Sequence, residues 1–317
     1  MKIEDIKTIC VVGGGTMGRG IALQCATHGF KVNLWSRRME TVESAREWQR
    51  ENLNQRVERG TLSEEAAQKM LSRISYTIDL EEAGGNADFV FEAVAEELEL
   101  KRKVFSQLDD ICPRHTILAT NSSSIKSSLI SDATNRADKV LNMHFGLVVE
   151  DGRLLEIMGN RWTSEETIEL ATALGHAIEM TVIRVRKEAI GFIYNRIWRA
   201  IKKAALDMVE MGIATIEDVD RAWMAARLGS EGPFIRMDKI GLDIVLSIER
   251  QWYQESGDLR DKPPEFLVEK VRKGELGVKT GKGFYTYPYP AYERPGWLKY
   301  GPKGNRQLQK TSTKKGG

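Results

Sequence analysis

Two groups of residues in this chain have the types and spacing to do chemistry. In Val11-Val12-Gly13-Gly14-Gly15-Thr16-Met17-Gly18 the glycines fall where a strand becomes a helix. Ile9 to Val12 is an apolar run suited to a buried parallel strand, and Met17, Ile21, Ala22, Cys25 and Ala26 recur at helical spacing. Such a turn binds a dinucleotide: Gly13 permits the tight bend, Gly15 lets backbone approach a pyrophosphate, Gly18 brings the helix onto the strand, and the amides from Thr16 and Met17 onward face the diphosphate. Glycine-rich loops also occur without a ligand; the strand before and the helix after favour the binding reading.

The next strand, Lys31 to Trp35, ends in Ser36-Arg37-Arg38. A carboxylate at position 36 would accept hydrogen bonds from the ribose hydroxyls of NAD, whereas a hydroxyl followed by two guanidiniums suits a 2′-phosphate. The expectation is NADP(H) as the preferred cofactor with NAD(H) as the alternate, set against the reading that Arg37 and Arg38 are only the solvated start of a helix.

The second group is His144 and Glu156. Of the four histidines, His28, His115 and His176 read as surface or capping residues, while His144 ends the strand Lys139 to Met143, and ligands in parallel-sheet proteins sit beyond such carboxyl ends. Glu156 lies inside the otherwise apolar Leu154-Leu155-Glu156-Ile157-Met158. A buried carboxylate needs a partner. An imidazole would serve, giving a His-Glu dyad; backbone groups or an arginine are the alternatives.

The elements that position these groups follow from the pattern. A helical hairpin over about 40–73 has Val42, Trp48, Leu53 and Val57 on one face and a break at Gly60 to Ser63, with Ser63 as a helix start. Strands are expected at Ile74 to Ile78, Asp88 to Glu92, Thr116 to Thr120, Lys139 to Met143, Leu154 to Met158 and Met180 to Val185. Helices are expected at Leu98 to Leu108, Ile125 to Ile130 and Ser164 to Gly175. After Gly191 only helices recur: a long segment from Phe192 to about Gly212, then 216–227, 233–255 and 264–273. The fold class is an α/β Rossmann-type doubly wound sheet followed by an all-α C-terminal domain. The domains are 1–188, including the hairpin, then 189–298, with a flexible tail at 299–317 that is poor in apolar groups.

The 317 residues suffice for two cores, and 41% hydrophobic with 29% charged residues is ordinary for a globular protein. A formal charge of +2 gives no reason to expect nucleic acid. No apolar run approaches the roughly 20 residues of a membrane span, and no signal segment is evident, so cytoplasm is the expected location. Cys10, Cys25 and Cys112 read as reduced core thiols, and no metal site is indicated.

Taken together, the motifs resemble the L-3-hydroxyacyl-CoA dehydrogenase family. The resemblance runs through Val11 to Ala22, an acidic helix start Glu92-Ala-Val-Ala-Glu96 with Lys101, Asn121-Ser-Ser-Ser-Ile125, His144-Phe145, Glu156, Gly191-Phe-Ile-Tyr-Asn195-Arg196, Gly232-Pro-Phe234 with Asp238 and Gly241-Leu-Asp243, and Thr280-Gly-Lys-Gly-Phe-Tyr285. It spans residues 5 to about 287. What it implies is hydride transfer between carbon 3 of an acyl thioester and a nicotinamide. His144 would be the general acid/base, oriented by Glu156, and Ser123 and Asn195 would meet the substrate oxygens. Glu96, Lys101 and Asn121 would lie at the cofactor, and the helical hairpin beside the CoA nucleotide, within reach of Arg50 and Arg56. Ser123 and Asn195 read equally as helix-cap residues, and the two arginines as solvated charge. The family also implies a homodimer through the helical domain.

Two departures stand out. Family members commonly carry an acid where Ser36 stands, and they usually continue the histidine as His-Phe-Phe-Asn-Pro, whereas this chain has His144-Phe145-Gly146-Leu147-Val148. The loop Gly146 to Arg153 is therefore expected to be reshaped and the acyl group unusual. The rival functions are a dehydrogenase of a free 3-hydroxy acid, such as a sugar acid or carnitine-like compound, and a non-catalytic NADP(H)-binding protein.

Overall fold

Alternate residues of the first strand enter different cores. In β1 (Thr8–Val12), Ile9 and Val11 join one apolar cluster and Cys10 and Val12 another, so both faces of the sheet are covered. The computed structural model describes residues 1–146, 149 and 154–301. After β1 come α1 (Thr16–Thr27), β2 (Lys31–Trp35), α2 (Met39–Glu58), α3 (Glu64–Leu71), β3 (Ile74–Thr77), α4 (Leu80–Gly84), β4 (Phe89–Glu92), α5 (Leu98–Ile111) and β5 (Ile117–Thr120). Then follow β6 (Val140–Phe145), β7 (Leu154–Gly159), α6 (Glu165–Ala177), β8 (Thr181–Val185) and α7 (Tyr194–Glu210). The sheet has eight strands in the order β3-β2-β1-β4-β5-β6-β7-β8. Every neighbouring pair is parallel except β6 with β7. Side chains of α1, α2, α3 and α6 fill one core; those of α4 and α5 fill the other. This is the doubly wound Rossmann-type arrangement, and its direction of winding reverses between β1 and β4, the place where such sheets bind ligands.

The chain divides into two compact units, Met1–Arg196 and Ile197–Gly317. The second is helical: the rest of α7, then α8 (Ile216–Ala225), α9 (Pro233–Ile240), α10 (Leu242–Ser256) and α11 (Glu265–Arg272). Leu206, Phe234, Met237, Leu242, Leu246 and Leu267 form its core. Two buried carboxylates tie it together. Asp220 accepts from the Phe234 and Ile235 amides and the Tyr285 hydroxyl, and Asp238 accepts from the Phe284 and Tyr285 amides and the Tyr287 hydroxyl.

Several elements differ from the sequence expectation. The stretch expected to be a helix at Ile125 to Ile130 forms 3-10 turns at Ser127–Leu129 and Ser131–Ala133. Asn142 takes the backbone there: its Oδ1 accepts from the Ser127 amide at 2.8 Å and its Nδ2 donates to Ile125 O at 3.0 Å. The expected helix 233–255 is broken by Gly241, whose φ of 102° no helix tolerates. Glu92 to Glu96 is not a helix start; Glu92 ends β4 and the helix begins at Leu98. The helix expected from Phe192 begins at Tyr194, because Gly191 and Phe192 have φ of 73° and 50°. Residues 147, 148 and 150–153 of the Gly146–Arg153 loop, and the tail from 302, lie outside the described residues.

Candidate active site

The glycine turn closes the carboxyl end of β1. Gly13 sits at φ 117°, and a side chain there would meet Ala93 O at 2.5 Å. A Cβ on Gly18 would strike Gly13 O at 1.7 Å, so helix and strand touch backbone to backbone. Above Gly15 there is open space, and α1 begins with no side-chain cap, which leaves its first amides to an incoming anion. The residues thus fit the diphosphate of a dinucleotide. Beside the turn lies Ser36: Gly13 N–H donates to Trp35 O at 2.8 Å, and a Cβ on Gly14 would be 3.5 Å from that of Ser36. Ser36 is buried, Arg37 and Arg38 are exposed, and neither arginine has an ion-pair partner among the described residues.

Next to this turn a charged network spans the ends of β4 and β5. The Lys101 ammonium, on the first turn of α5, is buried and lies 2.8 Å from Glu92 Oε1 and 3.3 Å from Glu96 Oε2. Glu92 also accepts from the Val94 amide at 2.7 Å and from Thr120 Oγ1 at 2.6 Å. Glu96 accepts from Ser122 Oγ and from both the amide and the hydroxyl of Ser124. Burial pushes the Glu96 carboxyl up, but Lys101 and the serine donors outweigh it and hold the group below the usual glutamate range. Asn121 ties in the next strand, its Oδ1 accepting from the Phe145 amide at 3.0 Å. Ser123, between the two serines that grip Glu96, is exposed and has no side-chain partner among the described residues.

His144 and Glu156 face each other because β6 and β7 are antiparallel, with His144 and Glu156 as register partners. The His144 Nδ1–Glu156 Oε2 distance is 3.1 Å. The other carboxylate oxygen, Oε1, accepts from the amides of Ile193 at 2.8 Å and Tyr194 at 2.9 Å. Glu156 is therefore shared between the imidazole and the N-terminus of α7, and the alternatives of a backbone or an imidazole partner are both realised. Burial raises its carboxyl, but the His144 contact and the two amides prevail and keep it ionised below the ordinary range. An ionised carboxylate can only accept, so Nδ1 is the donor of this hydrogen bond, and in the neutral form of the ring the lone pair is then on Nε2. Phe192 stacks on the imidazole, with ring centroids 4.7 Å apart and planes at 22°. Asn195 follows on the first turn of α7 and has no partner among the described residues.

Two of the other three histidines have local partners. His28 Nδ1 lies 2.8 Å from Gln24 O, and His115 pairs with Asp88 at 3.0 Å. Arg50 and Arg56 are not brought together: six residues apart on α2, they point about 120° from one another. Arg50 instead shares a cavity of about 330 Å³ with Arg46, Leu71, Ser72 and Tyr76. Glu92, Ser122 and Phe192 are the site residues to which sequence reasoning assigned no role. Phe192 stands in the motif Gly191 to Arg196, but an aromatic at helical spacing reads as core. Among the described residues no His, Cys, Asp and Glu cluster could hold a metal, and no helix is long and apolar enough to cross a membrane.

The chain is similar to known proteins over most of its length. The family model for the NAD binding domain of 3-hydroxyacyl-CoA dehydrogenase matches residues 8–189, and that for the C-terminal domain matches 191–287. A probable 3-hydroxybutyryl-CoA dehydrogenase of Bacillus subtilis is 37% identical, covering 89% of this chain and 98% of the relative. The crystal structure of (S)-3-hydroxybutyryl-CoA dehydrogenase PaaH1 from Ralstonia eutropha superposes with a TM-score of 0.84 at 32% identity, covering 90% of this chain and 100% of that one. A diketoreductase described as acting on dicarbonyl compounds superposes at 0.79 with 33% identity, covering 89% of this chain and 99% of its own. With an NAD-binding sheet, a buried carboxylate facing a strand-end histidine, and both family models matched in order, this chain belongs to the 3-hydroxyacyl-CoA dehydrogenase family.

Proposed function

We propose that this chain is an NADP(H)-preferring 3-hydroxyacyl-CoA dehydrogenase in which His144 is the general acid/base. The observation that carries the reading is the division of Glu156 between His144 and the amides of Ile193 and Tyr194, which leaves Nε2 as the free basic nitrogen. When bound, the nicotinamide supplies the hydride chemistry, taking up the hydrogen and electron pair that leave carbon 3 or returning them in reduction. In oxidation the 3-hydroxyl proton passes to His144 Nε2 as the carbon–oxygen double bond forms. In reduction the imidazolium returns that proton to the oxygen. Glu156 stabilises the positive ring, and Ser123 and Asn195, whose side chains have no partner among the described residues, are the donors for the substrate oxygens.

The glycine turn from Gly13 to Gly18, with Thr16 and Met17, holds the diphosphate; Glu96, Lys101 and Asn121 border the nicotinamide end. The 2′-phosphate falls to Ser36, Arg37 and Arg38, and the lack of ion-pair partners for both arginines among the described residues supports that assignment. With NADPH as cofactor the working direction is reduction of a 3-oxoacyl-CoA. Arg50 and Arg56 are the basic candidates for CoA phosphates on the helical hairpin. Exposed Ile197, Met211, Ile213, Ile244 and Leu259 on the helical unit support a homodimer through that unit. Three buried free thiols suit a reducing cytoplasm.

The testing experiment is consumption of acetoacetyl-CoA with NADPH and with NADH in parallel, followed by nicotinamide absorbance. A higher kcat/KM with NADPH is expected; a clear preference for NADH overturns the cofactor assignment. A second reading, reduction of a free keto acid, is favoured by the likeness to a diketoreductase and by the altered sequence after His144. Silence with acetoacetyl-CoA together with turnover of a CoA-free keto acid, indifferent to substitution of Arg50 and Arg56, would establish it.

A further inference from the structure

Phe192 occupies a backbone conformation that a phenylalanine rarely adopts. Its φ of 50° follows Gly191 at 73°, and only a few per cent of non-glycine residues lie in this region. A glycine or asparagine would sit there with less strain. Such strain persists where the surroundings over-determine it. Here the Phe192 amide donates to Ala189 O at 3.2 Å, the Arg196 amide donates to Gly191 O at 3.1 Å, and the next two amides end on Glu156. The ring thereby driven inward is 2% exposed, is backed by Met158 and Val185, and lies nearly parallel to the imidazole of His144.

We infer that Phe192 is the positioning residue for the imidazole of His144. The covalent link through Cβ and the hydrogen bond from Nδ1 to Glu156 hold two points of the ring and leave rotation of its plane about the line joining them. A flat wall 4.7 Å away removes the rotation and aims Nε2 in one direction. The same wall is the electron-rich face of an aromatic ring, which attracts the positive charge that the imidazole acquires when it takes up the substrate proton. One kinked dipeptide therefore does two things: it supplies the ring against His144 and turns the amides of Ile193 and Tyr194 onto Glu156. The inference rests on His144 being the acid/base of the proposed reaction.

The test is Phe192→Leu, which keeps an apolar side chain and removes the flat face. It should lower kcat by roughly tenfold to a hundredfold while leaving the KM for the nicotinamide cofactor unchanged. In the unaltered protein, proton NMR should place the imidazole C–H resonances of His144, assigned by their loss in His144→Gln, upfield under the ring current of Phe192. In Phe192→Leu they should return to ordinary positions. Wild-type kcat in Phe192→Leu alongside an inactive His144→Gln would overturn this inference alone, whereas an active His144→Gln would overturn the acid/base reading and this inference with it. Should the leucine variant fail to fold, the spectrum of the unaltered protein decides: resonances with no upfield shift refute the stacking.

Discussion

The substitution Glu156→Gln puts the dyad to its sharpest test, because both carboxylate oxygens act as acceptors and a carboxamide has only one. If the glutamine oxygen keeps the amides of Ile193 and Tyr194, now at 2.8 and 2.9 Å, its NH2 group faces Nδ1 of His144. Nδ1 must then accept, the ring proton moves to Nε2, and the base is lost. If instead the oxygen faces Nδ1, an NH2 group opposes two backbone N–H donors. Two hydrogen bonds at about 1 kcal/mol each outweigh one, so the first arrangement should prevail. The lost charge adds to the effect. At the 3.1 Å contact and an effective dielectric constant of about 20, a carboxylate stabilises a full imidazolium by about 5 kcal/mol, and a half-transferred proton by about half of that. That alone corresponds to roughly a hundredfold in rate, and tautomer inversion carries the expected loss of kcat to between about 10² and 10⁴. Cofactor affinity, measured by fluorescence titration, should be unchanged, since the hydrogen bonds of Glu156 among the described residues go to His144, Ile193 and Tyr194 and not to the glycine turn. Turnover of acetoacetyl-CoA within about threefold of wild type, with the fold intact by circular dichroism, would refute the reasoning.

Other outcomes follow from the same geometry. His144→Gln should cut turnover by about 10²–10⁴ and spare cofactor binding; near-normal turnover rejects its role. Ser36→Asp combined with Arg37→Ala should move the ratio of kcat/KM for NADPH over NADH toward NADH, and an unmoved ratio removes Ser36 from cofactor choice. Lys101→Met strands the Glu92 carboxylate, which is fully buried, and urea denaturation should show a loss of about 3–5 kcal/mol that Glu92→Gln in the same chain largely restores; no loss would mean the pair is solvated. Burial pushes the Asp220 carboxyl up to about 6 in spite of the donors around it. A carboxyl whose folded value lies above its ordinary 3.8 withdraws stability as it ionises, so stability falls as pH rises between those values. Asp220→Asn should therefore gain stability relative to wild type as pH rises through that window, and a constant difference across it contradicts the assignment.

What was legible in the sequence, and what was not, divides along physical lines. Periodicity placed every strand of the sheet, because apolar runs of four to six residues between glycines and caps have few other uses, and the hairpin α2–α3 announced itself through Ser63, whose Oγ accepts from the Ala66 amide. The glycine turn was readable for the same reason: its requirements are local. The break at Gly241 within the expected helix 233–255 is local, whereas two other differences arise where a distant side chain takes over a backbone. Asn142 unwinds the stretch at Ser127 from fifteen residues away, and no propensity of that stretch reports it. The left-handed turn at Phe192 is likewise imposed from outside, by a carboxylate on another strand. Sequence could name His144 and Glu156 as partners, yet the antiparallel pairing that sets them opposite each other was not visible, since either strand direction satisfies the same apolar pattern.

That pairing makes the dyad independent of what joins its strands. His144 and Glu156 meet through ladder positions flanked by Met143 opposite Ile157 and Phe145 opposite Leu155. The connecting residues can then be lengthened, shortened or exchanged for those of a relative without moving either side chain out of register. Adding a single residue inside β7, by contrast, would turn Glu156 to the opposite face of the sheet. Evolution and the protein engineer are thereby offered the same freedom: the sequence after His144 can be exchanged while the ladder carries the His144–Glu156 pair over intact.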